Sequence, residues 1–549
     1  MAYVVTQSCC ADASCVVACP VNCIHPAPGE PGFATAEMLF VDATACVGCG
    51  ACATACPVDA IKPASTLTRE EQPFVAINAD YYDCFPHHDR TPLSVVVAQR
   101  RLVERRVRRV AVVGAGPAGL YAADELLKHP EVEVDVYDRL PTPYGLVRAG
   151  VAPDHPHTKR VEKLFRAVED QPGFRYLLGV EVGTDLDLAD LRQHYDAVVY
   201  AVGASSDRSL GIDGEQLPGS LSATDVVGWY NGHPGQQDLE VPLDHPSGRA
   251  VVVGNGNVAL DVARILTRDP AVLERTDMAA LPWAALSRSG VREVVVLGRR
   301  GPAEAAFTLP ELVGLVGLVD DGVLDVVVDT GGAAIPAGGR KLQILADLAS
   351  RAPRAGVARI VLRFHTRPIE IEGDHETGVR GVVVERDGVR ETLETGLVLR
   401  AIGYRGRPVA DLPFDEATGT VPHEAGRVRP GLYVAGWVKR GPSGFIGTNK
   451  TCAEQTVSSL LDDLDAGLPA PSGTRAELDA LVAARCPDAV DLAAWRRLDA
   501  EERRRGATRS RPRAKIVDVA EMLRVAHAAP APARRRRYPS KVREVLAGR

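Results

Sequence analysis

The sequence predicts an α/β protein in which two Rossmann-like units follow a small, cysteine-rich α+β domain. Three observations support this prediction. Nine of the 12 cysteines lie in the first 60 residues of a 549-residue chain, so this segment is chemically distinct from the rest. Two glycine-rich loops, GAGPAG at 114–119 and GNGNVA at 254–259, each follow an apolar run typical of a buried strand. The length itself indicates several domains.

The cysteine-rich segment contains the spacing C-x2-C-x2-C-x3-C-P at 46–57, which is the ligand run of bacterial ferredoxins. A shorter run at 9–20 ends in the same Cys-Pro pair, and ACPVNCI is repeated as ACPVDAI, so the two halves can exchange their last cysteines. Zinc is the alternative, but its structural sites usually use two separated ligand pairs. The predicted ligands are Cys19, Cys46, Cys49 and Cys52 for one [4Fe-4S] cluster, and Cys9, Cys15 and Cys56 for a second cluster.

The second cluster departs from the eight-cysteine pattern, because Asp12 stands where a further cysteine would complete it. Three thiolates favour a [3Fe-4S] cluster, the arrangement of the seven-iron ferredoxins that the segment resembles through its CPVNCI element. An Asp12-ligated [4Fe-4S] cluster stays open, and so does Cys10 in place of Cys9. Cys23 has no place in either ligand set and is predicted to pack as a small buried thiol.

The composition is that of an ordinary globular protein, with 46% hydrophobic and 25% charged residues. The first 85 residues hold nine acidic and two basic side chains and so account for the whole formal net charge of −7. This favours a protein–protein electron carrier over a nucleic-acid binder, which needs a basic face, although solubility alone also explains the charge. Without a long apolar run or a signal peptide, we expect a cytoplasmic protein with no membrane insertion.

The first glycine-rich loop predicts a dinucleotide site. Gly114, Gly116 and Gly119 have the G-x-G-x-x-G spacing between a predicted strand and a predicted helix. The next predicted strand, VEVDVYD, ends in Asp138. The glycines let the backbone approach a pyrophosphate, whereas the acid accepts hydrogen bonds from ribose hydroxyls and disfavours a 2′-phosphate. This site is therefore predicted to bind FAD or NAD.

The second glycine-rich loop predicts a second dinucleotide, with Ala259 in the third glycine position. The strand EVVVLGRR downstream ends in Arg299 and Arg300 instead of an acid. A guanidinium pair at this place suits the 2′-phosphate of NADP. A solvated surface pair is the alternative.

The segments between these motifs complete the predicted organisation. GLYVAGWVKRGPSGFIGTNKTCAEQTV, at 431–457, has the strand and helix that close a flavin domain, so that domain is discontinuous. SRPRAKIVDVAEML predicts a strand and a helix, and Arg534–Arg537 form either a flexible basic end or a contact for an acidic ferredoxin. The predicted domains are a ferredoxin-like iron–sulfur domain at 1–85, a linker at 86–107, an FAD-binding domain at 108–206 and 407–465, an NADP-binding domain at 207–406, and a C-terminal extension with a basic tail at 466–549.

Residues 108 to about 525 resemble the adrenodoxin reductase family of ferredoxin-NADP reductases. The resemblance rests on three motifs, LPTPYGLVRAGVAPDHPHTK, GRRGPAEAAFTLPEL and GWVKRGPSGFIGTNK. Glutamate synthase small subunits are more distant relatives. With its cysteine-rich segment, the whole chain is similar to the fused ferredoxin/ferredoxin-NADP reductases of actinobacteria.

The resemblance implies roles for individual residues. His155 and Glu311 would orient the nicotinamide side of the flavin or assist proton movement. Pro310 fits best in a first helical turn, so it is expected to set the start of the helix that carries Glu311. The implied flavin contacts are Asp138, Leu146, Trp437, Gly444, Phe445 and Ile446, and the implied NADP contacts are Arg208, Asn255, Gly256, Asn257, Val258, Arg299, Arg300 and Glu311.

The predicted function is transfer of electrons from NADPH through FAD to the fused clusters, and then to an external ferredoxin or other one-electron acceptor. A flavin is required because nicotinamide gives a two-electron hydride whereas each cluster accepts one electron. An electron-input subunit of the glutamate synthase type is the alternative. A thioredoxin-reductase-like enzyme is disfavoured, because Cys452 and Cys486 are too far apart in sequence to form its cysteine pair. A non-enzymatic carrier would bind no flavin.

Overall fold

The computed structural model describes residues 2–93, 100–204 and 206–529. Its N-terminal domain pairs β1 with β4 and β2 with β3, both antiparallel. Short helices carry or follow the cysteine runs, and a longer helix covers the strands with Phe74 and Ile77. The elements are β1 (Tyr3–Val5), α1 (Ser14–Ala18), β2 (Ile24–His25), β3 (Phe40–Val41), α2 (Ala51–Ala55), β4 (Ile61–Pro63) and α3 (Pro73–Cys84).

The next segment builds a parallel sheet with helices between its strands. Its strands are almost fully buried because both faces of a parallel sheet are covered. The elements are β5 (Arg108–Val113), α4 (Pro117–Leu127), β6 (Val132–Asp138), α5 (Leu146–Ala149), α6 (Glu162–Glu169), β7 (Phe174–Leu178), α7 (Leu188–His194) and β8 (Ala197–Tyr200).

A second parallel sheet and a three-stranded antiparallel sheet follow, and a short antiparallel pair, β9 with β19, lies where the chain enters and leaves this region. The elements are β9 (Ser206–Asp207), β10 (Ser220–Ser222), α8 (Ala223–Asn231), β11 (Arg249–Val253), α9 (Asn257–Thr267), α10 (Pro270–Leu273), α11 (Ala280–Leu286), β12 (Glu293–Leu297), α12 (Leu309–Asp320), β13 (Asp325–Asp329), α13 (Arg340–Ser350), β14 (Arg359–Arg363), β15 (Arg367–Asp374), β16 (Gly378–Arg386), β17 (Val389–Glu394), β18 (Leu397–Arg400) and β19 (Tyr404–Arg405).

The C-terminal part of the described chain returns to the first sheet. Leu432 pairs with Val198, so the sheet order is β20-β21-β8-β5-β6-β7. The second sheet has the order β10-β18-β11-β12-β14-β13 and uses only strands from the intervening segment. The last elements are β20 (Arg427–Arg429), β21 (Leu432–Val434), α14 (Trp437–Arg440), α15 (Thr448–Asp465), α16 (Arg475–Arg485), α17 (Leu492–Ala507) and α18 (Val519–Ala526).

The segment before α18 forms no strand, in contrast to the expectation for SRPRAKIVDVAEML. Arg513 and Lys515 are both buried there, and Lys515 Nζ lies 3.0 Å from Asp277 Oδ2. Arg513 pairs with Glu162 and Glu502. Buried charges need such partners. The ion pairs of Arg513 and Lys515 therefore hold this segment in an irregular conformation in which it forms no strand.

Arg534–Arg537 lie outside the described residues. Within the described ranges, none of the helices is long and apolar enough to span a membrane. The domain boundaries given above stay predictions.

Candidate functional site

Four of the predicted cluster ligands share one cavity. Cys19, Cys46, Cys49 and Cys52 line it together with Cys23. The Cys23 thiol lies 3.4 Å from Cys19 Sγ and, by hydrogen bonding, lowers the pKa of Cys19 to about 5. Burial instead raises the pKa of Cys52 to about 11. Several thiols therefore converge on one cavity, and burial keeps some of them protonated in the absence of a cation. A cationic iron–sulfur core would stabilise their thiolate form, so this arrangement fits a cluster.

The same cavity reaches the protein surface. Cys49 is exposed, and the neighbouring Val47 is 62% exposed. Cys19 and Cys52 are buried. A cluster held here would therefore have one edge at the surface and the other in the domain core.

Cys9, Cys15 and Cys56 form the second group of thiols. Cys9 and Cys56 both pack against the apolar cluster that contains Cys15, and burial raises the pKa of Cys9 to about 11. Ala60 N donates to Cys56 Sγ at 3.3 Å. Together with Cys15, these residues fit the three-thiolate ligand set.

The carboxylate of Asp12 is engaged in hydrogen bonds within its own turn and is not free to bind a metal ion. Its Oδ2 accepts a hydrogen bond of 2.5 Å from Ser14 Oγ, and its Oδ1 accepts from Ser14 N at 3.4 Å. Lys450 Nζ in turn lies 3.4 Å from Ser14 Oγ. Both carboxylate oxygens of Asp12 thus already have partners.

The first glycine-rich loop follows β5 as expected. Gly114 has φ +112°, and a Cβ there would lie 2.5 Å from Ala201 O. The Asp138 carboxylate accepts from Ala115 N at 2.8 Å, and burial raises its pKa. Asp138 therefore fixes the glycine loop to the end of β6, a role that the sequence did not predict.

The surface around this loop fits a flat apolar ring. Leu146 is 38% exposed and Val202 is 39% exposed, although both are large and apolar. On Gly116, the nearest neighbour of an added Cβ would be Gly145 Cα at 3.9 Å, so the loop remains accessible to a ligand. The predicted flavin contacts Trp437, Gly444, Phe445 and Ile446 all lie in and just after α14, on the segment that leads to α15.

The second glycine-rich loop follows β11 and faces open space. An added Cβ on Gly256 meets nothing within 4 Å, which leaves room for a phosphate at the start of α9. Asn257 Oδ1 accepts from Thr308 N at 2.8 Å, and Asn255 Oδ1 from Ala306 N at 3.4 Å. The two asparagines thus attach the loop that precedes α12 to the glycine loop. Val258 is partly buried and packs against the apolar core of this sheet.

The arginines predicted for the 2′-phosphate are available for an anion. Arg299 and Arg300 are exposed just after β12, and Arg208 is exposed after β9. None of the three forms an ion pair within the described residues. A Cβ on Gly298 would lie 2.7 Å from Asn255 Nδ2, so this arginine pair adjoins the second glycine loop.

His155, which follows α5, and Glu311, in the first turn of α12, lie close to each other. Glu311 Oε2 lies 3.9 Å from His155 Nε2 and 3.7 Å from Arg264 Nη1. Burial raises the pKa of Glu311, while the nearby His155 acts in the opposite direction. Asp154 is half-buried, and its ion pair with Arg264, 2.7 Å long, holds its pKa well below the ordinary value. Arg264 and Asp154 were missed by the sequence reasoning, although Asp154 adjoins His155.

Helix α12, which carries Glu311, begins at Leu309 with Pro310 in its first turn, as expected. Its preceding residue, Thr308, makes no side-chain cap. Instead Glu37 Oε2, from the N-terminal domain, accepts from Leu309 N at 2.7 Å. Gln7 Nε2 of the same domain lies 3.5 Å from Glu311 Oε2. The N-terminal domain therefore completes the start of this helix.

The N-terminal domain also docks beside the predicted flavin contacts. Gly447 N donates to Cys10 O at 2.8 Å, directly after Ile446. Ile446, Cys9 and Cys56 pack against one apolar core that continues under the first glycine loop. The loop that carries the second group of thiols consequently lies against the segment 444–447.

Comparisons with known proteins identify the family. Residues 108–289 match the family model described as pyridine nucleotide-disulphide oxidoreductase, and residues 39–62 match the 4Fe-4S binding domain. The probable ferredoxin/ferredoxin-NADP reductase of Mycobacterium bovis is 52% identical, over 99% of this chain and 98% of that relative. The chain belongs to the ferredoxin-NADP reductase family. Human mitochondrial NADPH:adrenodoxin oxidoreductase is 42% identical over 77% of this chain and 92% of its own length.

The solved structures agree with this family. Mycobacterium tuberculosis FprA in complex with NADPH has a TM-score of 0.73 and 43% identity, over 77% of this chain and all of that chain. The predicted membership of the ferredoxin-NADP reductase family is confirmed, and so are the α/β class with Rossmann-like sheets and an N-terminal 4Fe-4S region. The roles of individual site residues stay predictions.

Proposed function

We propose that the protein is an FAD-dependent NADPH:ferredoxin oxidoreductase whose own N-terminal domain is the first electron acceptor. The observation that carries this proposal is the contact between Gly447 and Cys10, which brings the second thiol group to the predicted flavin segment. The names of the similar proteins, which join ferredoxin and reductase, support the same activity.

FAD would be held by the first glycine loop, Leu146 and the segment 437–446. The exposed Leu146 and the accessible Gly116 support this assignment, because both offer contacts that the protein itself leaves unused. When bound, FAD accepts a hydride from NADPH and passes electrons singly to iron–sulfur clusters. The protein supplies binding, orientation and exclusion of water.

NADPH would be held by the second glycine loop, with its 2′-phosphate on Arg299 and Arg300. These arginines lack carboxylate partners among the described residues and are therefore free to bind a phosphate. His155 and Glu311 would lie at the nicotinamide end. Burial raises the pKa of Glu311, so that this carboxyl group holds a proton at a higher pH than an ordinary carboxylate does. This suits a group that gives or takes a proton near neutral pH.

For the clusters, we favour a [4Fe-4S] cluster on Cys19, Cys46, Cys49 and Cys52 and a [3Fe-4S] cluster on the other three thiols. The hydrogen bonds from Ser14 to both oxygens of Asp12 support three ligands at the second site, because a ligating Asp12 would have to give up at least one of them.

The proposed route leaves the protein at the exposed Cys49 and Val47. The second group of thiols, Cys9, Cys15 and Cys56, lies on the side of the N-terminal domain that contacts the reductase. The cavity that Cys49 lines opens to the protein surface. An external ferredoxin or another one-electron acceptor would dock there. Burying Val47 on docking would favour a partner with a complementary apolar patch.

Rapid mixing of NADPH with anaerobic, full-length protein tests the proposal. Flavin absorbance and freeze-quenched electron paramagnetic resonance would follow the two centres. We expect cluster reduction to follow flavin reduction at a rate independent of protein concentration, because the transfer is intramolecular. Clusters that stay oxidised, or a rate proportional to protein concentration, would contradict the proposal.

A further inference from the structure

Helix α12, which carries Glu311, belongs to two hydrophobic cores at once. Leu312 and Leu315 lie in the core of the second parallel sheet. Val313 lies in the core of the N-terminal domain, and Leu309 packs against that core. The position of the helix therefore depends on the N-terminal domain as well as on the sheet.

Ion pairs extend this contact beyond the end of the helix. Arg69 pairs with Asp321, the residue that follows α12. Asp80 of α3 accepts from Arg340 of α13, through Nε at 2.9 Å and through Nη2 at 3.0 Å. Such two-pronged pairs fix the orientation of the partners as well as their distance. The N-terminal domain is therefore held against α12 from its first residue to its end.

The side chain of Gln7 extends from the N-terminal domain to Glu311. Gln7 Nε2 donates to Glu311 Oε2 at 3.5 Å. The backbone just before it is fixed, because Thr6 donates to Ala60 O from its N at 2.8 Å and from its Oγ1 at 2.9 Å. Gln7 is half-buried, so water competes for its amide less than at an open surface. The amide is thus directed at the carboxylate from a fixed segment.

The glycine at position 314 makes room for this amide. Gly314 lies one turn after Glu311, on the same face of α12. A Cβ added there would lie 2.4 Å from Gln7 Nε2 and 2.8 Å from Gln7 Oε1. Real Cβ atoms essentially never approach within 3.0 Å, so a larger residue would displace the amide. Glycine is less favourable than alanine inside a helix, and the close approach of Gln7 accounts for its presence.

Charged groups also surround the carboxylate of Glu311. Burial raises the pKa of Glu311, two nearby aspartates act in the same direction, and a histidine and an arginine act against them. Gln7 differs from these groups, because its amide stabilises the ionised carboxylate by a hydrogen bond and adds no charge. The charged groups near the start of the helix, on the loop after α5, on α9 and on the N-terminal domain, are His155, Asp154, Asp261, Arg264 and Glu37.

We propose that Gln7 is a positioning residue for the reaction with NADPH, and that its amide holds the carboxylate of Glu311 in place while the N-terminal domain is docked. This inference rests on the proposed function, in which Glu311 lies at the nicotinamide end. Gln7 acts through Glu311. It stands two residues before Cys9, a predicted cluster ligand, so a single segment of the N-terminal domain serves both the nicotinamide end and the second thiol group.

The pH dependence of flavin reduction tests this role, measured by anaerobic stopped flow of the full-length protein with NADPH. Gln7→Met keeps the length of the side chain and removes the donor. Because an N–H donor stabilises a carboxylate, its loss should move the ionisation of Glu311 to higher pH, by about 0.5–1 unit. Gln72→Met is the matched control and should keep the wild-type profile, since Gln72 is an exposed glutamine of the same domain whose amide donates to Leu67 O.

Gly314→Ala displaces the same amide without changing Gln7, on a helix that alanine favours. It should shift the ionisation in the same direction as Gln7→Met does, and the double substitution should shift it no further, because both changes remove one interaction. Gly317→Ala, whose added Cβ would lie 3.4 Å from Glu70 Cγ, controls for an alanine in α12 and should not shift the ionisation. Flavin and iron are quantified in every protein to show that the fold and the clusters are intact.

Binding of NADP⁺ to the oxidised protein gives a second measurement that needs no turnover. Its dissociation constant, followed by flavin absorbance over the same pH range, should show the same shift in Gln7→Met.

Glu311→Gln separates this inference from the proposed function. If Glu311→Gln loses the ionisation while Gln7→Met keeps the wild-type profile or shifts it to lower pH, the role of Gln7 is overturned and that of Glu311 stands. If the ionisation persists in Glu311→Gln, both roles are overturned. Shifts that add in the double substitution would show that Gly314→Ala does not act through Gln7, and would overturn the proposed contact.

Discussion

Replacing Gly447 by alanine is expected to push the Cys9–Cys15 loop away from the reductase without disturbing α15. Gly447 has φ −69° and ψ −25°, which alanine adopts readily. An added Cβ would nevertheless overlap the backbone of Ala11 and Asp12, well inside the 3.0 Å that real Cβ atoms respect. Overpacking of this kind costs about 1–3 kcal/mol. If this free energy opposes docking of the N-terminal domain on the reductase, the ratio of docked to undocked molecules falls by about 5- to 150-fold.

Two electron acceptors distinguish a loss of electron transfer to the clusters from a loss of flavin reduction. NADPH-driven reduction of cytochrome c should slow in Gly447→Ala, by up to the factor above, whereas reduction of ferricyanide, which takes electrons directly from flavin, should stay unchanged. Gly339→Ala is the matched control, because Gly339 also precedes a helix and an added Cβ there meets nothing within 4 Å. Cytochrome c reduction at the wild-type rate in Gly447→Ala would refute the role of this contact.

Three further substitutions test the proposed NADPH site. Arg299→Ala should raise the KM for NADPH by roughly 10- to 100-fold and leave the KM for NADH unchanged, because only NADPH has the 2′-phosphate to which Arg299 would donate charged hydrogen bonds. An equal effect on both KM values would show that Arg299 does not bind the 2′-phosphate. Glu311→Gln should abolish, from the pH profile of flavin reduction measured by stopped flow, an ionisation lying above 4.5, since burial raises the pKa of Glu311; an unchanged profile would assign that ionisation elsewhere. Glu37→Gln should slow flavin reduction by about two- to tenfold by weakening the cap on α12, and single-turnover rates equal to those of wild type would show that the cap does not position Glu311.

The features that sequence predicted are those that local chemistry determines. The spacing of the cysteines, the two glycine loops and the arginine pair after EVVVLGRR each need only a few neighbouring residues to be recognised. The start of α12 near Pro310 also follows from one residue, because proline lacks the N–H that a helix interior needs. These elements appear in the structure where the sequence predicted them.

The features that sequence missed depend on distant contacts. Glu37 and Leu309 are 272 positions apart, so no local pattern joins them. The carboxylate of Asp138 accepts from the backbone N–H groups of Ala115 and Leu140, which the sequence did not predict, whereas its contact with a ribose stays a prediction. The strand expected before α18 failed because Lys515 is drawn into a buried ion pair, which the apolar pattern of the segment does not reveal.

The most direct test of the central claim is the rate of NADPH-driven cytochrome c reduction by Cys49→Ala, compared with Cys84→Ala and wild type. Cys49 and Cys84 are both exposed, but only Cys49 lines the cluster cavity. Flavin and iron are quantified in each protein. We predict that Cys49→Ala loses cytochrome c reduction and keeps ferricyanide reduction, while Cys84→Ala keeps both. Equal cytochrome c reduction by all three proteins would contradict electron exit through the fused clusters.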